Sequence, residues 1–139
     1  MATTVCVVRE SVPGERRVAL TPDVAKKLKA KGVNLLMERG AGSAASFPDG
    51  TYKDVEVAAD ARSALGRADV LLTVQPPSLD EIAALKEGTV TIGYLSPHLA
   101  PERIKALRER KLTSFAMELL PRTTRAQAMD VLSSQANIA

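Results

Sequence analysis

Short apolar, β-branched runs alternate along the chain with stretches whose apolar residues recur at three- and four-residue spacing. That is the pattern of strands alternating with amphipathic helices. Val5 to Val8 reads as the first strand. Thr21 is placed to cap a helix with Pro22 at its first position and Asp23 in its first turn. Val24, Ala25 and Leu28 then share one face and Gly32 ends it. Val33 to Glu38 follows as a strand, Asp60 to Arg67 as a short helix and Asp69 to Val74 as an apolar strand. Ser78 and Glu81 have the spacing of a capping box for a helix running to about Lys86. Thr89 to Leu95 is the fourth strand, Pro101 opens a helix through Ile104 and Leu107, and Leu112 to Ala116 is the fifth strand. Strands separated by single helices imply right-handed crossovers, so the expectation is an α/β, flavodoxin-like or Rossmann-like domain with a mostly parallel sheet flanked by helices. A last helix starts near Arg125 and meets no stop signal before Ala139, which predicts a cut within a longer element.

Length and composition narrow this picture. The 139 residues are about one domain's worth, 45% hydrophobic and 25% charged, and the core must be aliphatic because only 3% of residues are aromatic and none is Trp. The net charge of +3 comes from lysines and arginines scattered through helical stretches, such as Lys26, Lys27, Lys29 and Lys31. Without clustering or interleaved aromatics, that distribution excludes nucleic acid as a partner. Cys6 is the single cysteine, so no internal disulfide can form, and its place in a strand makes it core. No segment approaches about 18 consecutive apolar residues, and the start lacks the flanks of a secretory signal. A cytoplasmic location and no direct membrane insertion are expected.

Gly40, Ala41, Gly42, Ser43, Ala44 and Ala45 satisfy a GxGxxA dinucleotide pattern, with Asp60 near the spacing of a ribose-binding acid. The pattern works only if a helix starts at the loop and aims its first NH groups at the pyrophosphate. Phe47, Pro48, Asp49 and Gly50 interrupt any such helix, so a structural turn is expected. Residues 117 to 139 concentrate polar groups where the fifth strand's carboxyl end meets a helix. At 100° per residue, Gln127, Asp130, Ser133, Ser134 and Asn137 share an arc of roughly 120°, largely opposite Met129, Leu132 and Ala136. Arg122, Gln127, Asp130 and Ser133 offer a cation, an amide, a carboxylate and a hydroxyl, which complement a nicotinamide carboxamide. Thr124 and Gln127 also have capping-box spacing, so the same groups equally suit a capped, solvated helix.

Three blocks, GERRVALTP at 14 to 22, GAG with FPD at 40 to 49, and PRTTRAQAMDVLSSQANIA at 121 to 139, together resemble the alanine dehydrogenase and transhydrogenase alpha-subunit superfamily over the whole chain. The last block resembles the proton-translocating transhydrogenase branch. The resemblance implies a nicotinamide-contacting loop and the start of an interdomain helix at residues 121–139, with cofactor contacts falling on Arg122, Gln127, Asp130 and Ser133 and no residue acting as acid or base. It implies NAD(H) bound mainly by a second domain missing from this chain, and NADP(H) on a partner subunit. It further implies a homodimer of the complete subunit, peripheral to the inner membrane and joined to membrane subunits that translocate protons. The isolated 139-residue chain is then expected to be inactive.

The related alanine dehydrogenases hold their substrate carboxylate with an Arg that matches Arg17 and a Lys in a VKEP stretch. Here the second stretch reads Val74, Gln75, Pro76, Pro77. Their catalytic His follows YLHLA, whereas this chain has Tyr94, Leu95, Ser96, Pro97, His98. Arg17 is then expected as a surface or interdomain residue, and His98 as structural or exposed. A reading of another class is a non-catalytic domain that only folds, dimerises or docks.

Overall fold

The apolar runs pair side by side as a single parallel sheet. Its strands are β1 (Thr4–Val7), β2 (Asn34–Glu38), β3 (Glu56–Ala58), β4 (Val70–Leu72), β5 (Val90–Gly93) and β6 (Thr113–Ala116). They lie in the order β3-β2-β1-β4-β5-β6, and every neighbouring pair is parallel. This computed structural model describes residues 2–119 and Gln135. The order is that of a Rossmann sheet and not of a flavodoxin, and it reverses between β1 and β4.

The helices begin where the capping chemistry predicts. In α1 (Pro22–Ala30), the Thr21 hydroxyl accepts from the Val24 NH at 3.3 Å. In α2 (Ala61–Arg67), Asp60 accepts from the Ser63 NH at 2.8 Å. In α3 (Leu79–Ala84), Ser78 and Glu81 exchange both capping-box bonds. Pro101 opens α4 (Pro101–Glu109). The expectation of five strands omits β3. That strand is three residues long at the sheet edge, with Glu56 and Val57 both exposed, so it carries no alternation to read. Its place is fixed from outside, by pairing with β2 and by an ion pair between Glu56 and Arg67 of α2.

The two faces of the sheet are covered unequally. On one, Cys6, Leu36 and Leu71 pack with Ala64 and Leu65 of α2 and with Leu85 just past α3, and α4 packs beside α3. Each such buried leucine contributes roughly 1.5–3 kcal/mol of burial. Thr91 of β5 is buried on this face, its hydroxyl donating to Ser114 of β6 at 2.7 Å. On the other face Val5, Val7, Leu35 and Met37 pack under Ala25 of α1, with Tyr52 and Ala41 from the loop after β2. Among the described residues that cover stops at β4. Ile92 and Phe115 are in register with Leu72 and so share its α1 side, yet Phe115 is 56% exposed. Among the described residues no helix is long and apolar enough to cross a membrane.

Candidate functional site

In a parallel sheet every strand delivers its chain to the same edge, so the loops after the strands converge there, and the reversal of strand order opens a crevice between them. A cleft of about 480 Å³ occupies this place. It is lined by Arg17, Val18 and Ala19 from the loop after β1, Thr73 and Val74 after β4, Gly93 and Tyr94 at the end of β5, Met117 after β6, and Gln135.

The cleft is held open by carboxylates that collect backbone NH groups. Glu10 accepts from the NH groups of Val74 and Gln75 at 3.0 and 2.9 Å, which ties the β1 loop to the β4 loop. Burial pushes its carboxyl up, and those two NH bonds partly offset the rise. Glu118 does the same at the far side, accepting from Leu95 at 3.1 Å and from Ser96 at 2.7 Å. At the floor, Gly93 faces the Thr73 carbonyl and hydroxyl so closely that a Cβ would collide with both.

Arg17 is the centre of this arrangement. Its Nε and Nη2 donate to Glu15 at 2.9 and 2.7 Å, a two-pronged pairing. Gln75 Nε2 donates to the same carboxylate at 2.7 Å. The Glu15 side chain is only 6% exposed, and the hydrogen bond from Arg17 is the main reason its carboxyl falls from 4.5 to about 2. The guanidinium carbon lies 5.9 Å from the centre of the Tyr94 ring, within cation–π range. Its remaining amine, Nη1, donates to Gln135 Oε1 at 2.9 Å. Arg17 thus has one hand fixed by the domain and the other on the C-terminal segment.

Arg122, Gln127, Asp130 and Ser133, the nicotinamide contacts expected from the sequence, lie outside the described residues, as does most of the helix expected from Arg125. Gln135, two residues beyond Ser133, is described, and its backbone is helical. The Gly40 loop is a turn. It forms one 3₁₀ turn, Ser43–Ala45, and the Gly40 NH donates to the Asp49 carboxylate at 3.0 and 3.2 Å. An acid therefore sits where a pyrophosphate would need to be, and Asp60 is engaged in capping α2. His98 is exposed, and Cys6 is fully buried with its thiol pushed up to about 12 by burial. Sequence reasoning makes Arg17 no more than a surface or interdomain residue. Its side chain is 42% exposed, but its partners make it the hub of the cleft. The pairing with Glu15, two residues earlier, is the one local signal. The contacts with Tyr94 and Gln135 are long-range and have none.

The family model for the alanine dehydrogenase/PNT N-terminal domain matches residues 6–139. The chain is 43% identical over 142 residues to an NAD(P) transhydrogenase subunit alpha polypeptide of Rhodospirillum rubrum, an alignment spanning 97% of this chain and 37% of that protein. The crystal structure of transhydrogenase from Sinorhizobium meliloti is 44% identical with a TM-score of 0.92, covering 97% of this chain and 41% of that one. Alanine dehydrogenase of Methanococcus maripaludis is 34% identical over 116 residues, 81% of this chain and 31% of that protein. The chain spans well under half the length of these relatives.

Proposed function

The chain belongs to the alanine dehydrogenase/PNT N-terminal domain family, and from that premise we propose that it is the N-terminal part of the NAD(H)-binding component of a transhydrogenase. In this reading hydride passes directly between NAD(H) on this component and NADP(H) on a partner subunit. Proton translocation belongs to other, membrane-embedded subunits, and the complete subunit is a homodimer at the cytoplasmic side of the inner membrane.

The observation that carries the reading is the Arg17–Gln135 bond, which sets Gln135, two residues along the chain from Ser133, at the strand-end cleft. The nicotinamides supply the redox chemistry, and a protein that only aligns them needs no acid or base of its own. The described residues do not fit the pyrophosphate, because Asp49 already takes the Gly40 NH and no α-helix opens there. We therefore assign the phosphates to a second, nucleotide-binding domain beyond the 139 residues given, leaving this one to frame the nicotinamide end. The alanine dehydrogenase reading is weaker on its own chemistry. Arg17 is the one cation among the described residues lining the cleft, and Glu15 already neutralises it, while Gln75 stands in the stretch where a lysine would be needed. Among those described residues a small 2-oxo acid would find no net positive charge.

The test uses the full-length subunit with its NADP(H)-binding partner. NADH should reduce NADP⁺, and pyruvate with ammonium should not oxidise NADH. Oxidation dependent on pyruvate would replace this reading with alanine dehydrogenase. In the same preparation Gln127→Asn or Asp130→Asn should slow hydride transfer more than either weakens NADH binding. Titrated alone, the 139-residue chain should show no saturable NADH binding in the micromolar range.

A further inference from the structure

The loop after β4 has few backbone donors with which to hold itself. Thr73 NH continues the sheet, donating to the Ile92 carbonyl at 3.0 Å, and Pro76 and Pro77 have no NH to give. The NH groups between them, those of Val74 and Gln75, go to one side chain, Glu10 of the β1 loop, one to each carboxylate oxygen. Beyond the prolines the Ser78 NH goes to Glu81 at 2.8 Å. Side-chain carboxylates therefore set the path of this loop. It brings two things to the cleft. Thr73 and Val74 line the wall directly, and the Val74 carbonyl accepts from the Tyr94 NH at 3.2 Å. The Gln75 amide donates to Glu15, which holds the Arg17 guanidinium beside the Tyr94 ring. A shift of the Val74–Gln75 backbone moves the wall and its cation together.

Two NH groups, one on each oxygen, suit an ionised carboxylate. A proton on either oxygen takes the charge out of both bonds and leaves a hydroxyl whose hydrogen must be accommodated beside an NH, so the clamp weakens. Burial and the like charges of Glu81 and Glu15 favour that proton and the two NH bonds oppose it, with the carboxyl left above its ordinary 4.5. Glu81 faces it from α3, one oxygen 3.5 Å from the Ser11 hydroxyl, and Glu15 faces it from the same loop with Arg17 already paired to it. Arg103 of α4 is engaged further along, on the Pro77 and Leu95 carbonyls.

We propose that Glu10 is a positioning residue for hydride transfer: ionised, it latches the β4 loop and with it the Gln75, Glu15 and Arg17 chain in the geometry that frames the nicotinamide, and protonated, it lets that wall go. The role rests on the transhydrogenase reading. Glu10 touches no substrate and acts only through the backbone of Val74 and Gln75.

Glu10→Gln keeps the shape of the side chain and puts an NH2 group in place of one oxygen, a fixed copy of the protonated state. The first test reads the latch without any activity. In the full-length subunit at neutral pH, amide hydrogen exchange at Val74 and Gln75 should be about tenfold faster in the variant than in the parent, and unchanged at Cys6, Leu36 and Leu71 of the core strands. Equal exchange in both proteins, or faster exchange everywhere, overturns the latch. The second test adds the NADP(H)-binding partner and follows hydride transfer by rapid mixing. Glu10→Gln should slow transfer about tenfold while changing the NADH Kd less than about twofold. The parent's rate should fall with a midpoint above pH 4.5 as pH is lowered, and the variant's should be flat across that step. Glu81→Gln keeps a residue type that completes the capping box but removes a like charge, so it should move the parent's midpoint to lower pH. A step retained in Glu10→Gln, or a midpoint that Glu81→Gln leaves in place, assigns the titration to another group and sinks the proposal. A parent subunit that transfers no hydride to NADP⁺ would refute the functional reading and leave the exchange result standing.

Discussion

Two loops leave the carboxyl ends of neighbouring strands and do opposite things. The loop after β2 carries the glycine pattern that invites a nucleotide, yet it spends its polar groups on itself: Gly40 on Asp49, and Phe47 NH on the Gly42 carbonyl at 2.9 Å. The loop after β1 has no such motif, yet Glu10, Glu15 and Arg17 reach Val74, Gln75, Tyr94 and Gln135 on other elements. A ligand-facing loop is therefore recognised by where its polar groups are directed, and a glycine spacing says nothing of that. Glycines serve close approach in both regions, which gives the sharpest way to separate them.

The largest effect is expected at the cleft floor. A Cβ at Gly93 would collide with the backbone carbonyl and the hydroxyl of Thr73, so Gly93→Ala should destabilise by about 3 kcal/mol. It should also lower hydride transfer per folded molecule, because Thr73 and Tyr94 line the cleft. Gly42→Ala meets the Phe47 carbonyl and the Tyr52 hydroxyl at 2.7 Å, for an expected loss of about 2 kcal/mol. Here activity per folded molecule should be unchanged. Denaturant midpoints give the stabilities, and a rate loss for Gly42→Ala at equal folded fraction would erase the distinction between the loops.

Tyr52 is the point where the two loops touch. From beside the glycine turn its buried hydroxyl donates to the Leu20 carbonyl, at the end of the β1 loop, at 2.7 Å. Tyr52→Phe leaves that carbonyl unpaired and should cost about 1–2 kcal/mol, with an unchanged denaturant slope. A loss much below this would mean the loops are held independently.

Local chemistry explains what could be read in advance. Thr21, Asp60, and Ser78 with Glu81 announce their helices because a cap and the NH it binds lie within three residues of each other. The central strands were legible because both faces are buried and the runs are uniformly apolar. β3 was not, since its identity comes from pairing with β2 and not from its own three residues. The same division runs through the site. Arg17 and Glu15 are close in sequence, but the sheet order brings Tyr94 to them, and no spacing rule spans the 118 residues to Gln135.

The smallest expected effect tests whether Glu15 is a structural anchor of the β1 loop, and its sign can be worked out. Arg17 holds the Glu15 carboxyl near 2 in place of 4.5, so the folded state takes up that proton less readily than the unfolded chain. The resulting stability is fully present above about pH 4.5 and is lost as pH falls toward 2. Because Arg17 is 42% exposed and screened by solvent, about 1 kcal/mol is a reasonable size. Glu10 runs the other way: burial raises its carboxyl, so its contribution favours the fold at lower pH and fades as pH rises. The parent's acid profile therefore mixes two opposing slopes, and only variants separate them. Glu15→Gln should flatten the loss between pH 4.5 and 2, and Glu10→Gln should remove the opposing decline that sets in as pH rises above about 4.5. Identical profiles for parent and Glu15→Gln would mean that Arg17 stays in place without its carboxylate, and the β1 loop would then be anchored by Glu10 alone.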